Sequence, residues 1–241
     1  MAPRLLLEGS PLTAAEPNPG QRVRAWLAEG LGVFLFVFLL ISTAATAAYM
    51  GGNNTLLSLA AAHGAAFAIA VAAAQNVSAG HLNPALTLAE WVMGKIESVD
   101  AFGAIVAQCV GAVLAAFFAE ALLPRETLEA TKLSIVVAAP VLKTTQVFAI
   151  ELILGVFLAY AFVSSRRAKS PLVTPVVVGL TVFVGFLAAA PLTGACMNPA
   201  RALGPALVTG VTDGLWIAML APALGAMFGG FAAHSLQTPE R

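Results

Sequence analysis

The sequence predicts an all-α integral membrane protein: six transmembrane helices plus two re-entrant half-helices, arranged as an inverted repeat. Three observations carry this. Apolar residues make up 59% of the 241 residues and charged residues only 10%, with a mean hydropathy of +0.89; a soluble domain carries about 25% charged residues. Six apolar runs approach or exceed the length of about 20 residues that a helix needs to cross a bilayer. The triplet Asn-Pro-Ala occurs twice, at Asn83-Pro84-Ala85 and Asn198-Pro199-Ala200, each time after the second run of a trio.

The same composition excludes whole classes. With 12 Lys+Arg, 12 Asp+Glu and a net charge of zero, the chain has neither the charge to coat a soluble globule nor a basic face for nucleic acid. Cys109 and Cys196 give no disulfide framework, and His63, His81 and His234 are too scattered for a metal site. No nucleophile–base pair stands out, so neither an enzyme nor a cofactor is expected. Residues 1–22 read as a cytoplasmic N-terminal tail without a cleavable signal peptide. Residues 23–241 form the membrane domain, with one repeat over about 23–123 and a second over about 140–235.

Taken in order, the first run is Trp26 to Ala48, closed by the turn Gly51-Gly52-Asn53-Asn54. The second is Leu56 to about Asn76. A short apolar stretch follows the first Asn-Pro-Ala and ends at Met93, too short to span. The third run is Ala101 to Leu123, followed by a polar segment with Pro124, Arg125, Glu126, Glu129 and Lys132. The fourth is about Thr145 to Val163 and the fifth Leu172 to Ala190. Another short stretch follows the second Asn-Pro-Ala, to Val208, and the sixth run is Leu215 to about Ala233. Three spans per half is odd, so the second half runs inverted relative to the first. With the N-terminus inside, eight Lys and Arg lie on the inner side and Arg125, Lys132 and Lys143 on the outer side, which puts both termini in the cytoplasm.

A short apolar helix can enter halfway and return if protein surrounds its irregular backbone. Asn is a favoured N-cap and Pro suits the first helical turn, so each Asn-Pro-Ala reads as a helix start. In an inverted repeat the two starts meet near the midplane with their positive dipole ends opposed, which repels cations and protons. Each Asn amide can also donate to a passing molecule. Glu29 and Glu151 stand early in the first span of each half, and an intramembrane carboxylate is costly enough to have a task.

The segments Ser78-Ala79-Gly80-His81-Leu82-Asn83-Pro84-Ala85-Leu86-Thr87 and Gly194-Ala195-Cys196-Met197-Asn198-Pro199-Ala200-Arg201 resemble those of the aquaporin, or major intrinsic protein, family, over roughly residues 23–235. The resemblance implies an hourglass bundle, assembled as a homotetramer with one pore per subunit. It implies that Glu29 and Glu151 hold the two re-entrant loops by hydrogen bonds, and that His81 lines the cytoplasmic half of the pore. The aromatic/arginine selectivity filter matches His63, Phe186, Ala195 and Arg201 by position.

Helix rise agrees with that placement: at about 1.5 Å per residue, Arg201 lies roughly 4–5 Å outside the midplane, His63 roughly 5 Å and Phe186 about 6 Å. His first, a small third residue and Arg fourth look like the filters of tonoplast-type and ammonia- or peroxide-conducting aquaporins, although Phe186 departs from the Ile frequent there. Ala195 is expected to widen the filter, and a neutral His63 to donate as well as accept. Cys196, beside the filter, is a candidate mercurial site reachable from outside. Glu90 and Glu120 receive no role beyond positions near the cytoplasmic mouth and the outer end of the third span.

The resemblance therefore implies a passive channel in the plasma (cell inner) membrane for water and small neutral solutes such as ammonia and hydrogen peroxide, closed to protons and ions. One alternative is a glycerol- or urea-permeable aquaglyceroporin. Another is an ion-coupled secondary transporter, which also uses inverted repeats, but the re-entrant elements lack an acidic pair for a coupling ion.

Overall fold

The helices begin where the chain offers caps and end where glycine or proline interrupts them. The structure is a computed structural model that describes residues 18–52, 56–132 and 135–237. Among the described residues there are nine helices: α1 Pro19–Tyr49, α2 Leu56–Ala74, α3 Pro84–Val92, α4 Ser98–Leu122, α5 Arg125–Thr131, α6 Thr144–Ser165, α7 Val173–Thr193, α8 Pro199–Thr209 and α9 Leu215–Gln237. Six of them, α1, α2, α4, α6, α7 and α9, are long and apolar enough to cross a membrane. The two short helices after Asn83 and Asn198 are α3 and α8.

Two helix ends differ from the apolar runs. α1 begins at Pro19, within the segment read as a cytoplasmic tail. Asn18 caps the helix by accepting from the Gln21 amide at 2.9 Å, Gln21 returns a hydrogen bond to the Asn18 amide at 2.9 Å, and Pro19 occupies the first turn. Residues 1–17, the rest of the expected tail, lie outside the described residues, as do Asn53 and Asn54 of the first turn. The polar segment after the third span is partly helical: α5 starts behind Pro124 and stops at Lys132, whose φ of 48° is left-handed.

The spans are inside-out relative to a soluble protein. On α1, Leu27, Leu31, Leu35 and Leu39 form a stripe at four-residue spacing that faces outward, while Val33, Phe36, Val37, Leu40 and Ile41 are buried. Such outward apolar stripes recur on the other spans (Phe102, Leu180, Leu220, Phe228) and are stable only against lipid or another apolar surface. The long helices pair as α1 with α4, α6 with α9 and α2 with α7. The first two pairs are equivalent by the repeat, and the third joins the two halves.

Glycine is required where several of these helices cross, α1 with α4 and α2 with α7 among them. A Cβ on Gly111 would meet the Gly30 carbonyl oxygen at 2.1 Å, so α1 and α4 touch backbone to backbone. A Cβ on Gly64 would meet the Gly179 oxygen at 2.6 Å, which brings α2 against α7 in the same way. These close crossings leave the centre of the bundle to the two half-helices and the loops that precede them.

Candidate functional site

Each half-helix starts on an asparagine in extended conformation that caps its own helix. Asn83 Oδ1 accepts from Ala85 N at 2.9 Å, and Asn198 Oδ1 from Ala200 N at 3.1 Å. The two starts are also tied to each other. Asn83 Nδ2 donates to the Met197 carbonyl at 2.9 Å, and Asn198 Nδ2 to the Leu82 carbonyl at 2.8 Å. Pro84 and Pro199 fill the first turns, and both triplets are buried. The positive ends of α3 and α8 therefore face one another across a few ångströms.

The loop before each asparagine is bent by left-handed residues: Gly80 and Leu82 in the first, Gly194, Ala195 and Met197 in the second. Such turns aim consecutive amides inward, and in each loop a buried carboxylate collects them. Glu29 accepts from Ser78 Oγ (2.7 Å), His81 N (3.0 Å), Leu82 N (2.6 Å) and Gln108 Nε2 (2.7 Å). Glu151 accepts from Thr193 Oγ1 (2.6 Å), Cys196 N (2.9 Å) and Met197 N (3.2 Å). Charge-assisted bonds of this kind compensate the burial of a carboxylate. Gln108 is the partner that sequence reasoning missed; a lone Gln inside a span was its only signal.

At the start of α8 the structure brings His63, Phe186, Ala195 and Arg201 together, and with Asn83 and Asn198 they line one narrow cavity of about 10 Å³, roughly what a single water requires. The His63 and Phe186 rings lie with centroids 3.9 Å apart, and the Arg201 guanidinium sits 5.9 Å from the Phe186 centroid. Ala195 lines the same cavity, which the His63 and Phe186 rings narrow by their contact. The chemistry is also more one-sided than expected. His63 Nδ1 lies 2.8 Å from the Leu59 carbonyl, which can only accept, so Nδ1 carries the hydrogen and a neutral ring offers only the Nε2 lone pair. His63 Nε2, Arg201 Nε and Arg201 Nη1 are buried without a protein partner. One acceptor and two cationic donors thus face a space walled elsewhere by an aromatic ring.

Cys196 departs from its expected accessibility. It is 1% exposed, and its thiol lies 3.3 Å from the Asn198 carbonyl and 3.6 Å from that of Ala218 in α9, packed with Ala202 and Ala218. It nevertheless lines the same cavity as His63, Phe186, Ala195 and Arg201. His81 is 1% exposed, with Nδ1 3.2 Å from Thr87 Oγ1 and its ring edge-on to Phe162. Glu90 is buried beside it, and Glu120 is exposed at the end of α4.

Comparison with known proteins agrees with this architecture. The family model described as "Major intrinsic protein" matches residues 18–233. The chain is 36% identical to "Aquaporin TIP4-2" of Zea mays over 229 residues, covering 89% of this chain and 85% of that one. It is 32% identical to "Aquaporin-8" of Mus musculus over 225 residues (92% and 85%). It is 33% identical to "Glycerol uptake facilitator protein-like 6" of Lactiplantibacillus plantarum over 222 residues (90% and 100%). Among solved structures, the aquaglyceroporin from Plasmodium falciparum superposes with a TM-score of 0.78 at 22% identity, covering 90% of this chain and 97% of that one.

Proposed function

The chain belongs to the major intrinsic protein family of membrane channels, and from that premise we propose that it passes water and small neutral solutes such as ammonia and hydrogen peroxide while excluding protons and ions. The observation that carries this reading is the constriction: about 10 Å³ of space, bounded by the Arg201 donors, the His63 Nε2 acceptor and the apolar face of Phe186. A small molecule that both donates and accepts satisfies Arg201 and His63 at once. An apolar wall on the other side prevents it from being held tightly.

In this reading His63, Phe186, Ala195 and Arg201 form the selectivity filter. Asn83 and Asn198 orient the passing molecule with their remaining amide hydrogens, and Glu29 and Glu151 support the loops. His81 lines the pore end opposite the filter. Residues 23–241 act as the channel domain, the outward apolar stripes seat four copies in a homotetramer, and both termini face the cytoplasm from the plasma membrane. Two forms of evidence favour small solutes over glycerol: the ring contact at 3.9 Å, and the fixed guanidinium that any three-carbon polyol must pass.

The test is osmotic and isotopic flux into vesicles carrying the purified chain. Water, methylamine at alkaline pH and hydrogen peroxide should enter well above protein-free controls, with glycerol slow. His63→Ala should raise glycerol and urea entry severalfold, because removing the imidazole opens the contact with Phe186. Wild-type glycerol flux rivalling that of water would overturn the reading, and so would a His63→Ala chain with every permeability unchanged.

A further inference from the structure

The crossing of α1 with α4 leaves a cleft on the outer face of the bundle, away from the Asn83–Asn198 centre. Its volume is about 720 Å³. The floor lies where the two backbones meet, at Gly30 and Gly111. Leu27, Leu31 and Phe34 of α1 form one wall, and Phe102, Val106 and Leu114 of α4 form the other. Among the described residues no charged side chain lines it.

The cleft has the length of one leaflet. From Phe102 to Leu114 α4 rises about 18 Å, against about 15 Å for half of a bilayer's hydrocarbon core. The outward stripe of α1 continues through Leu35 and Leu39, but those two lie beyond the cleft. A spanning helix of a second copy packs along a seam through both leaflets. A narrow cleft that stops near mid-depth suits a single acyl chain instead.

The end where α1 begins is suited to the interface. The Trp26 indole lines the cleft there and rests against Gly103, where a Cβ would meet the ring at 2.1 Å. Arg24 precedes Leu27 by three residues and Leu31 by seven, so it stands on the same face of α1, about one turn beyond the cleft. It is exposed. The two carboxylates at the start of α4, Glu97 and Asp100, lie 2.6 Å and 3.7 Å from nitrogens of Arg22. Among the described residues Arg24 has no ion-pair partner. An apolar cleft thus ends below a cation at membrane-surface height.

We propose that this cleft binds one anionic phospholipid in the leaflet where α1 begins, with an acyl chain between α1 and α4 and the phosphate on Arg24. The chain covers the exposed faces of Leu31, Phe102 and Val106, which water cannot cover without cost. The guanidinium–phosphate bond fixes the headgroup. A zwitterionic lipid can fill the same cleft, but its ammonium group offsets the phosphate charge at Arg24, so the site prefers a net negative headgroup. The site lies outside the passage, and the inference rests on the membrane spans, not on which solutes pass.

The test uses the full chain carrying Trp91→Phe and Trp216→Phe, both at exposed positions, which leaves Trp26 of the three tryptophans. The chain is placed in phosphatidylcholine vesicles containing, at equal mole fraction, either phosphatidylglycerol or phosphatidylcholine brominated on the acyl chain. Bromine quenches an indole only at close approach. Brominated phosphatidylglycerol should quench Trp26 roughly threefold more than brominated phosphatidylcholine, and added salt should shrink the difference. Arg24→Gln should abolish the difference while quenching by either lipid persists, and Arg24→Lys should restore most of it. Equal quenching by the two lipids in the unsubstituted Arg24 chain overturns the proposal. So does a preference that survives Arg24→Gln, which would place the headgroup elsewhere. Absence of quenching by either lipid also overturns it, because a second copy of the chain would then cover the cleft. No flux enters the measurement, so its failure leaves the channel reading standing.

Discussion

In the proposed channel, Arg201 is the residue on which charge exclusion would turn. Two of its nitrogens are buried without a partner, which costs folding free energy and is retained where a passing molecule completes the bonds. Its positive charge is fixed at all accessible pH. Arg201→Val should leave the fold intact, because the guanidinium supports no other element through those two nitrogens. It should raise the leak of small cations and polar solutes at least tenfold, read with a pH-sensitive dye and a cation-sensitive dye in vesicles; an unchanged leak would contradict this role.

The two loop carboxylates invite a paired measurement. Glu29→Gln places an amide among four donors and Glu151→Gln among three. Each should destabilise the chain by on the order of 2–4 kcal/mol, with Glu29→Gln the larger loss, read as a lowered thermal midpoint in detergent. Residues proposed for the site were legible through the family resemblance that the two triplets carry, with helix rise agreeing on their height. Contacts were not. The His63–Phe186 approach, the Cys196 thiol against Ala218 and the Gln108 bridge depend on rotation about each helix axis and on how helices cross, and a single sequence does not state either.

At the scale of the element, the long spans were legible because apolar length is a property of composition alone. Their ends shifted for local reasons. The start of α1 moved back to Pro19 through a reciprocal Asn18–Gln21 cap, and the segment behind Pro124 folded into α5, which buries Leu128 in the core and Thr127 beside it. Asn18→Ala should cost about 1 kcal/mol, seen as faster amide exchange in the first turn of α1 with the remaining spans unaffected. The crossing of α1 with α4 should be far less forgiving. A methyl group at position 111 has no room beside the Gly30 carbonyl, so Gly111→Ala should cost about 1–3 kcal/mol and lower the yield of folded chain. A fully stable Gly111→Ala protein would mean the two helices sit farther apart.

For the whole molecule, the inverted repeat gives the proposed exclusion of ions a physical basis in a chain with this little charge. Two half-helices of nine and eleven residues begin against one another, so their positive ends add at the centre, and Arg201 adds a full charge further along α8. No acidic side chain is offered to a cation at the constriction. A chain of waters crossing this point would have its dipoles turned opposite ways on the two sides, because Asn83 and Asn198 each donate from the middle. In the proposed channel, proton hopping along such a chain would thereby be interrupted while the molecules themselves pass. The most direct measurement is simultaneous water and proton flux in the same vesicles, with light scattering following osmotic shrinkage and an entrapped dye following pH under an imposed proton gradient. Shrinkage should be at least tenfold faster than in protein-free vesicles while the rate of pH change stays at the protein-free level; a pH change accelerated in step with water flow would contradict the account.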